Sequence, residues 1–166
     1  LENTNISFMG DTKGGAFDVE YAAAAQFLQS PNPHERSNLD VVRPWINGLD
    51  ITRRPRSMWI IDYGVSTDRT DAATYAAPFE YVKREVWPIR KDNRRKAYAD
   101  AWWRHVEPRP AMRSALTGTR YIATARLTKY RFFVFQPSAV LPDSQVIVFA
   151  RSDDYFLGVL HSAVHE

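Results

Sequence analysis

His161 and His165 stand four residues apart, a spacing that on a helix sets two imidazoles on one side, as a shared metal ion requires. The metalloprotease pattern needs Glu directly after the first His. Ser162 is there instead, and no third ligand is evident, so the pair reads as the polar edge of a helix. Asp62 and the adjacent Asp153-Asp154 offer carboxylates for acid–base or metal work. Asp153-Asp154, following Ser152, also suits the acidic start of a helix. Gly10-Asp11-Thr12-Lys13-Gly14-Gly15 has the composition of a phosphate loop, but that loop needs Lys-Ser/Thr directly after its last Gly, and Ala16 follows Gly15. The chain has no Cys, which excludes thiol catalysis, thiolate metal sites and disulfides. No Gly-x-Ser-x-Gly turn exists for a nucleophilic Ser. Trp45, Trp59, Trp87, Trp102 and Trp103 have faces that stack on bases, although core positions are the expected place for them. No catalytic or metal residues are assigned, and a binding module is the reading that remains. A metal-dependent hydrolase using Asp62, Asp153, Asp154 or the two His is the lesser alternative.

The charge narrows the partner. Net charge is only +3, but the 22 basic residues meet 19 acidic ones unevenly along the chain. From Lys83 to Arg131 there are 14 basic and 4 acidic residues, a net of +10; the rest of the chain is therefore at −7. Of the basic residues 17 are Arg, whose planar fork suits phosphates and guanine edges better than the point charge of Lys. A basic segment in an otherwise acidic chain can meet a polyanion, or its Arg can pair with the acidic regions on a solvated surface.

These side chains need elements to carry them. The 166 residues suit one compact domain that buries a sizeable core without staples. No apolar run approaches the ~20 residues of a membrane span, and the opening LENTNISFMG lacks a signal-peptide pattern, so a soluble, cytoplasmic domain is expected. Ser7 to Phe17 reads as loop or short strand. Asp18 is expected to cap a helix over Val19 to Gln29, and Ser37 a short helix through Val42. Asn47-Gly48 marks a turn, and Met58 to Tyr63 a buried strand. Asp71 to Trp87 reads as a helix interrupted at Pro78, with Lys83, Arg84 and Arg90 facing out, and Pro88 ends or kinks it. Asn93 to His105 is a second helical stretch, ended at Pro108 and Pro110. Tyr121 to Leu127, Tyr130 to Gln136 and Gln145 to Arg151 form three strands with short links, before a last helix from Tyr155 to Glu166. That helix is still amphipathic at its end, so a piece of something larger is expected. The sum is an α+β fold: a small, mainly antiparallel sheet with packed helices, forming a single domain.

Four blocks, SFMGDTKGGAFDV, VVRPWINGLDITRRPRSMWIIDYG, RYIATARLTKYRFFVF and VLPDSQVIVFARSDDYFLGVLHSAVHE, resemble in the same order one region of the MmeI-like DNA methyltransferases. These type II restriction–modification enzymes carry methylation and specificity on one polypeptide. The resemblance spans essentially the whole chain and implies a target recognition domain that binds double-stranded DNA. It further implies that S-adenosylmethionine is bound, and adenine methylated, by a neighbouring methyltransferase domain. Neither the Asn/Asp-Pro-Pro-Tyr/Phe motif nor the cofactor loop of that domain is in this chain, so no cofactor is expected here. Ala125 and Ala163 depart from the pattern, standing where many relatives are expected to have Pro and Arg.

An enzyme that flips a base needs a separate grip on the duplex, with phosphate contacts to position it and a few side chains to read base edges. Arg126, Thr128, Lys129, Tyr130 and Arg131, linking two expected strands, fit base reading; a tight turn with solvated charges fits them equally. Arg90, Lys91, Arg94, Arg95 and Lys96 fit phosphate contact from a helix, or a plain charged helix face. Arg53, Arg54 and Arg56 are weaker candidates because Asp50 and Asp62 are near enough to pair with them. A non-catalytic module for RNA or an acidic protein is the alternative partner reading.

Overall fold

The computed structural model describes residues 5–162. In chain order its elements are β1 (Ser7–Met9), β2 (Asp18–Val19), α1 (Tyr21–Gln29), β3 (Val42–Ile46), α2 (Gly48–Thr52), β4 (Trp59–Ile61), α3 (Arg69–Ala73), α4 (Ala76–Glu85) and α5 (Trp87–Arg90). They continue with α6 (Lys96–Asp100), α7 (Pro110–Ala115), β5 (Arg120–Ala125), β6 (Val134–Pro137), β7 (Leu141–Pro142), β8 (Val146–Phe149) and α8 (Asp154–Leu160). The expected α+β class with antiparallel strands is the observed one. The chain forms two compact units, one of residues up to 11, 46–56 and from 109, the other of 12–45 and 57–108.

The first unit is built on a sheet in the order β1-β8-β5-β6, every neighbour antiparallel. β5 reads Arg-Tyr-Ile-Ala-Thr-Ala, and small and β-branched residues on both faces let it lie buried in the centre. It pairs with β8 as Thr124↔Ile147 and with β6 as Ile122↔Phe135. Ile122, Phe133 and Leu160 form the core under α8, flanked by Phe135, Phe149, Phe156 and Leu157. Asp153 caps α8 by accepting from the Phe156 N–H at 2.8 Å, as the acidic helix start predicts. Any continuation of that helix through Ala163, His165 and Glu166 lies outside the described residues.

α2 is an element that the Asn47-Gly48 turn signal conceals. Asn47 accepts from the Leu49 N–H, and Asp50 accepts from the Asn47 N–H, closing a capping box around a single short helix. α7 begins directly at Pro110, the first-turn position where a missing N–H costs nothing, so the Pro expected to end a helix starts one.

In the second unit β4 pairs antiparallel with β2 and β3, as Asp18↔Ile60 and Val42↔Ile61. Asp18 therefore lies in a strand, its carboxylate on Lys13, and α1 begins after Glu20. The expected long helix from Asp71 divides into α3 and α4 at Thr74–Tyr75, where the Thr74 hydroxyl donates to the Asp71 carbonyl. Pro78 sits in the first turn of α4 and Pro88 in the first turn of α5, so both are compatible with their helices. Phe79, Trp102 and Trp103 pack in a chain of rings with centroids 5.4 and 6.0 Å apart. Trp45, Trp102 and Trp103 are core, as expected, whereas Trp87 stays 38% exposed.

Candidate nucleic-acid interface

In the first unit the segment between β5 and β6 is wider than a hairpin turn. β6 starts only at Val134, and residues 126–133 form an eight-residue loop instead of continuing the expected strand from Tyr130. Thr124 explains the early opening: its hydroxyl donates to the Phe132 carbonyl at 2.8 Å, taking a group that ladder pairing would use. On its other flank the loop is rooted by the Arg126 N–H on the Gln145 carbonyl at 2.8 Å. Every side chain from Arg126 to Arg131 is exposed, Leu127 at 82% and Tyr130 at 70%. The Lys129 ammonium lies 5.1 Å from the Tyr130 ring centre, and Thr128 bonds the Tyr130 carbonyl. The Arg126 guanidinium donates to the soft sulfur of Met9, at 3.4 Å. Three cations and an aromatic are thus presented to solvent with their fold contacts at the loop's roots.

The start of α2 abuts those roots. A Cβ on Gly48 would meet the Gln145 carbonyl oxygen at 3.1 Å and the Ala125 methyl at 3.5 Å. After α2, Arg53, Arg54 and Arg56 are all exposed, and Arg56 is in addition committed to structure. Its Nε and Nη2 each donate at 2.9 Å to the buried Asp50 carboxylate, a two-pronged pair. The Arg56 backbone N–H adds a third bond, at 3.0 Å. Burial alone would raise the Asp50 pKa, but the Arg56 guanidinium and the Asn47 and Arg56 N–H groups hold it below the usual carboxylate value.

In the second unit the basic stretch is helical only at its two ends, Arg90 closing α5 and Lys96 opening α6. Residues 91–95 form a bend between α5 and α6, where the Asn93 side chain accepts from the Arg95 N–H at 2.9 Å. Lys91, Arg94, Arg95 and Lys96 are all exposed. Arg95 donates to the Tyr98 hydroxyl at 2.8 Å while lying over its ring, and Asn93, Arg94, Arg95 and Tyr98 line one surface hollow.

Arg90 is the exception and corrects the outward-facing expectation. It is 2% exposed, stacks over Phe17 and donates to three carbonyls: Gly14 at 3.2 Å, Arg104 at 2.7 Å and Lys13 at 2.6 Å. Arg90 closes α5, a separate helix that starts at Trp87-Pro88, so periodicity carried over from α4 places its side chain on the wrong side. The Gly-rich segment thereby gains a different role from phosphate binding: Lys13 and Gly14 offer carbonyls to a guanidinium. Gly14, at φ +64°, makes this approach feasible, since a Cβ there would lie 2.6 Å from Val106 and 3.1 Å from Arg90.

The carboxylates and histidine weighed as a hydrolase site are held in local structure. Asp153 caps α8 and pairs with Arg151, while Asp154 pairs with Arg120. Asp62 accepts from the Gly64 N–H and lies 3.7 Å from Arg43. His161 accepts the Phe133 N–H at Nε2, at 3.1 Å, and its Nδ1 is 3.1 Å from the Leu157 carbonyl. His165 lies outside the described residues. No described helix is long and apolar enough to cross a membrane.

No family model matches the chain, and no curated protein matches it in sequence. Among solved structures it is similar to the type IIL restriction-modification enzyme MmeI, solved in complex with DNA, with a TM-score of 0.72 and 14% identity. The match covers 96% of this chain and 21% of that one, so this chain spans about a fifth of the enzyme's length. At that identity the likeness is one of fold, and this chain shares the fold of a part of MmeI.

Proposed function

We propose that this chain is a double-stranded DNA-binding module, the target recognition domain of a restriction–modification adenine methyltransferase. The observation that carries it is the fold likeness, over nearly the whole chain, to an enzyme solved with DNA. The exposed cations of both units support it. Lys91, Arg94, Arg95 and Lys96 grip phosphates, with Arg53, Arg54 and Lys129 assisting, while Arg126 and Arg131 meet base edges from the loop that also carries Thr128 and Tyr130. S-adenosylmethionine and the methyl transfer belong to a neighbouring domain of the same polypeptide, in the cytoplasm, and this chain by itself is not an enzyme.

The test is base-by-base mapping of methylated plasmid DNA from the full-length enzyme carrying Arg126→Ala, Lys129→Ala or Arg131→Ala. At least one variant is expected to relax or change the modified site. Unchanged fidelity in all three would reduce the loop to a connection. For this chain, competition among duplex DNA, single strands and RNA at matched salt decides the partner, and preference for RNA would overturn the DNA reading.

A further inference from the structure

Arg90 lines a cavity of about 210 Å³ in the second unit, together with Tyr98, Arg104, His105, Val65 and Val106. None of its lining residues is acidic, and two are arginines. Four other arginines held in the fold each have an aspartate: Arg36 with Asp71, Arg43 with Asp62, Arg56 with Asp50 and Arg113 with Asp11. Arg90, at 2% exposure, has no carboxylate partner among the described residues. Its three bonds to carbonyls employ three of five N–H groups, leaving two. A buried cation without an anion is expensive, and burial brings the Arg90 pKa down to about 10.

Two further donors stand at the same cavity. Arg104 donates one bond, to the Val65 carbonyl at 2.6 Å, and lies over Trp103. Tyr98 accepts from Arg95, which leaves its own O–H to donate elsewhere. Two guanidinium groups and a phenol, in a walled space with no competing carboxylate, suit a compact tetrahedral oxyanion.

We infer that this cavity is a phosphate-binding pocket, with Arg90 supplying buried charge and Arg104 and Tyr98 closing on the anion. The occupant's chemistry is a phosphate group, from free phosphate or from a DNA strand. The pocket goes beyond the DNA reading, because it takes inorganic phosphate when no DNA is present.

The test titrates inorganic phosphate into this chain at fixed ionic strength, with chloride as the control, following amide chemical shifts. Saturable binding centred on Arg90, Tyr98 and Arg104 is expected. Arg104→Gln, partly exposed and therefore tolerated by the fold, should weaken it roughly tenfold or more, as loss of a charge-assisted bond implies. Tyr98→Phe should weaken it less. No saturable binding, or an Arg104→Gln variant that binds phosphate like the parent, overturns the pocket whatever DNA does. If Arg104→Gln also weakens duplex DNA beyond what Arg53→Gln does, the occupant is a strand phosphate. Unaltered DNA affinity beside lost phosphate binding assigns the pocket to the free anion. Phosphate binding in a chain that ignores DNA would retain the pocket and reject the recognition-domain reading.

Discussion

Asp50 shows how one residue can serve two elements. It closes the capping box of α2 with one oxygen and receives the Arg56 fork with both, while nearly removed from water. Truncating Arg56 to Ala should destabilise the fold by about 1–3 kcal/mol, because it strands a buried carboxylate; chemical denaturation measures this. The folded pKa of Asp50 lies below its unfolded value, so its contribution is complete above about pH 4 and fades as pH falls further. Asp50→Asn should therefore flatten the acid limb of the stability profile, and an acid limb identical to the parent's would show that other carboxylates set it. Gly14 is constrained differently, by a positive φ and by Val106 and Arg90 at its bare Cα. Gly14→Ala should cost about 1–3 kcal/mol in backbone strain alone, with contact crowding added, and its lowered melting temperature is the readout.

At the scale of elements, the 126–131 segment separates binding from folding. Its side chains are exposed, and its stability resides in Thr124, Gln145 and the flanking strands. A triple Arg126→Ala, Lys129→Ala, Arg131→Ala variant should melt within a few degrees of the parent, since exposed substitutions stay within about 0.5 kcal/mol each. Its DNA affinity should nevertheless depend less steeply on salt. The same element shows where sequence reading stops. The central strand, its partners and the α8 cap were legible, because β-branched runs and an Asp before an apolar helix are local signals. The strand over 42–46 was not, since Pro44 masks it and its pairing with β4 is made at a distance. Nor was the length of the 126–133 loop, which depends on a hydroxyl competing with the ladder. Periodicity places Arg90 on the wrong face because Pro88 restarts the helix, and a pattern carried across that break no longer counts turns correctly. The exposed cations around it, and the Arg56–Asp50 pairing, were within reach of charge and proximity alone.

For the molecule as a whole, the +10 segment governs how it should meet a polyanion. With about four to six phosphates neutralised, log affinity for duplex DNA should fall against log salt with a slope near −4 to −5. Reversing Arg94 and Arg95 to Glu should weaken all duplex sequences alike, and binding that is flat in salt would remove the electrostatic argument. Calorimetry with S-adenosylmethionine should show no saturable heat, because the cofactor loop and Pro-Pro motif are absent from this sequence; micromolar binding would place part of the cofactor site in this chain. The wide loop between β5 and β6 has one more consequence, on the timescale of descent. Positions 126 to 131 can be rewritten without first acquiring a compensating change in the sheet, so variation there is nearly neutral for persistence while remaining visible to any ligand. Lineages carrying this fold should accordingly diversify fastest at that edge, and a new preference can arise in one or two substitutions without passing through an unstable ancestor.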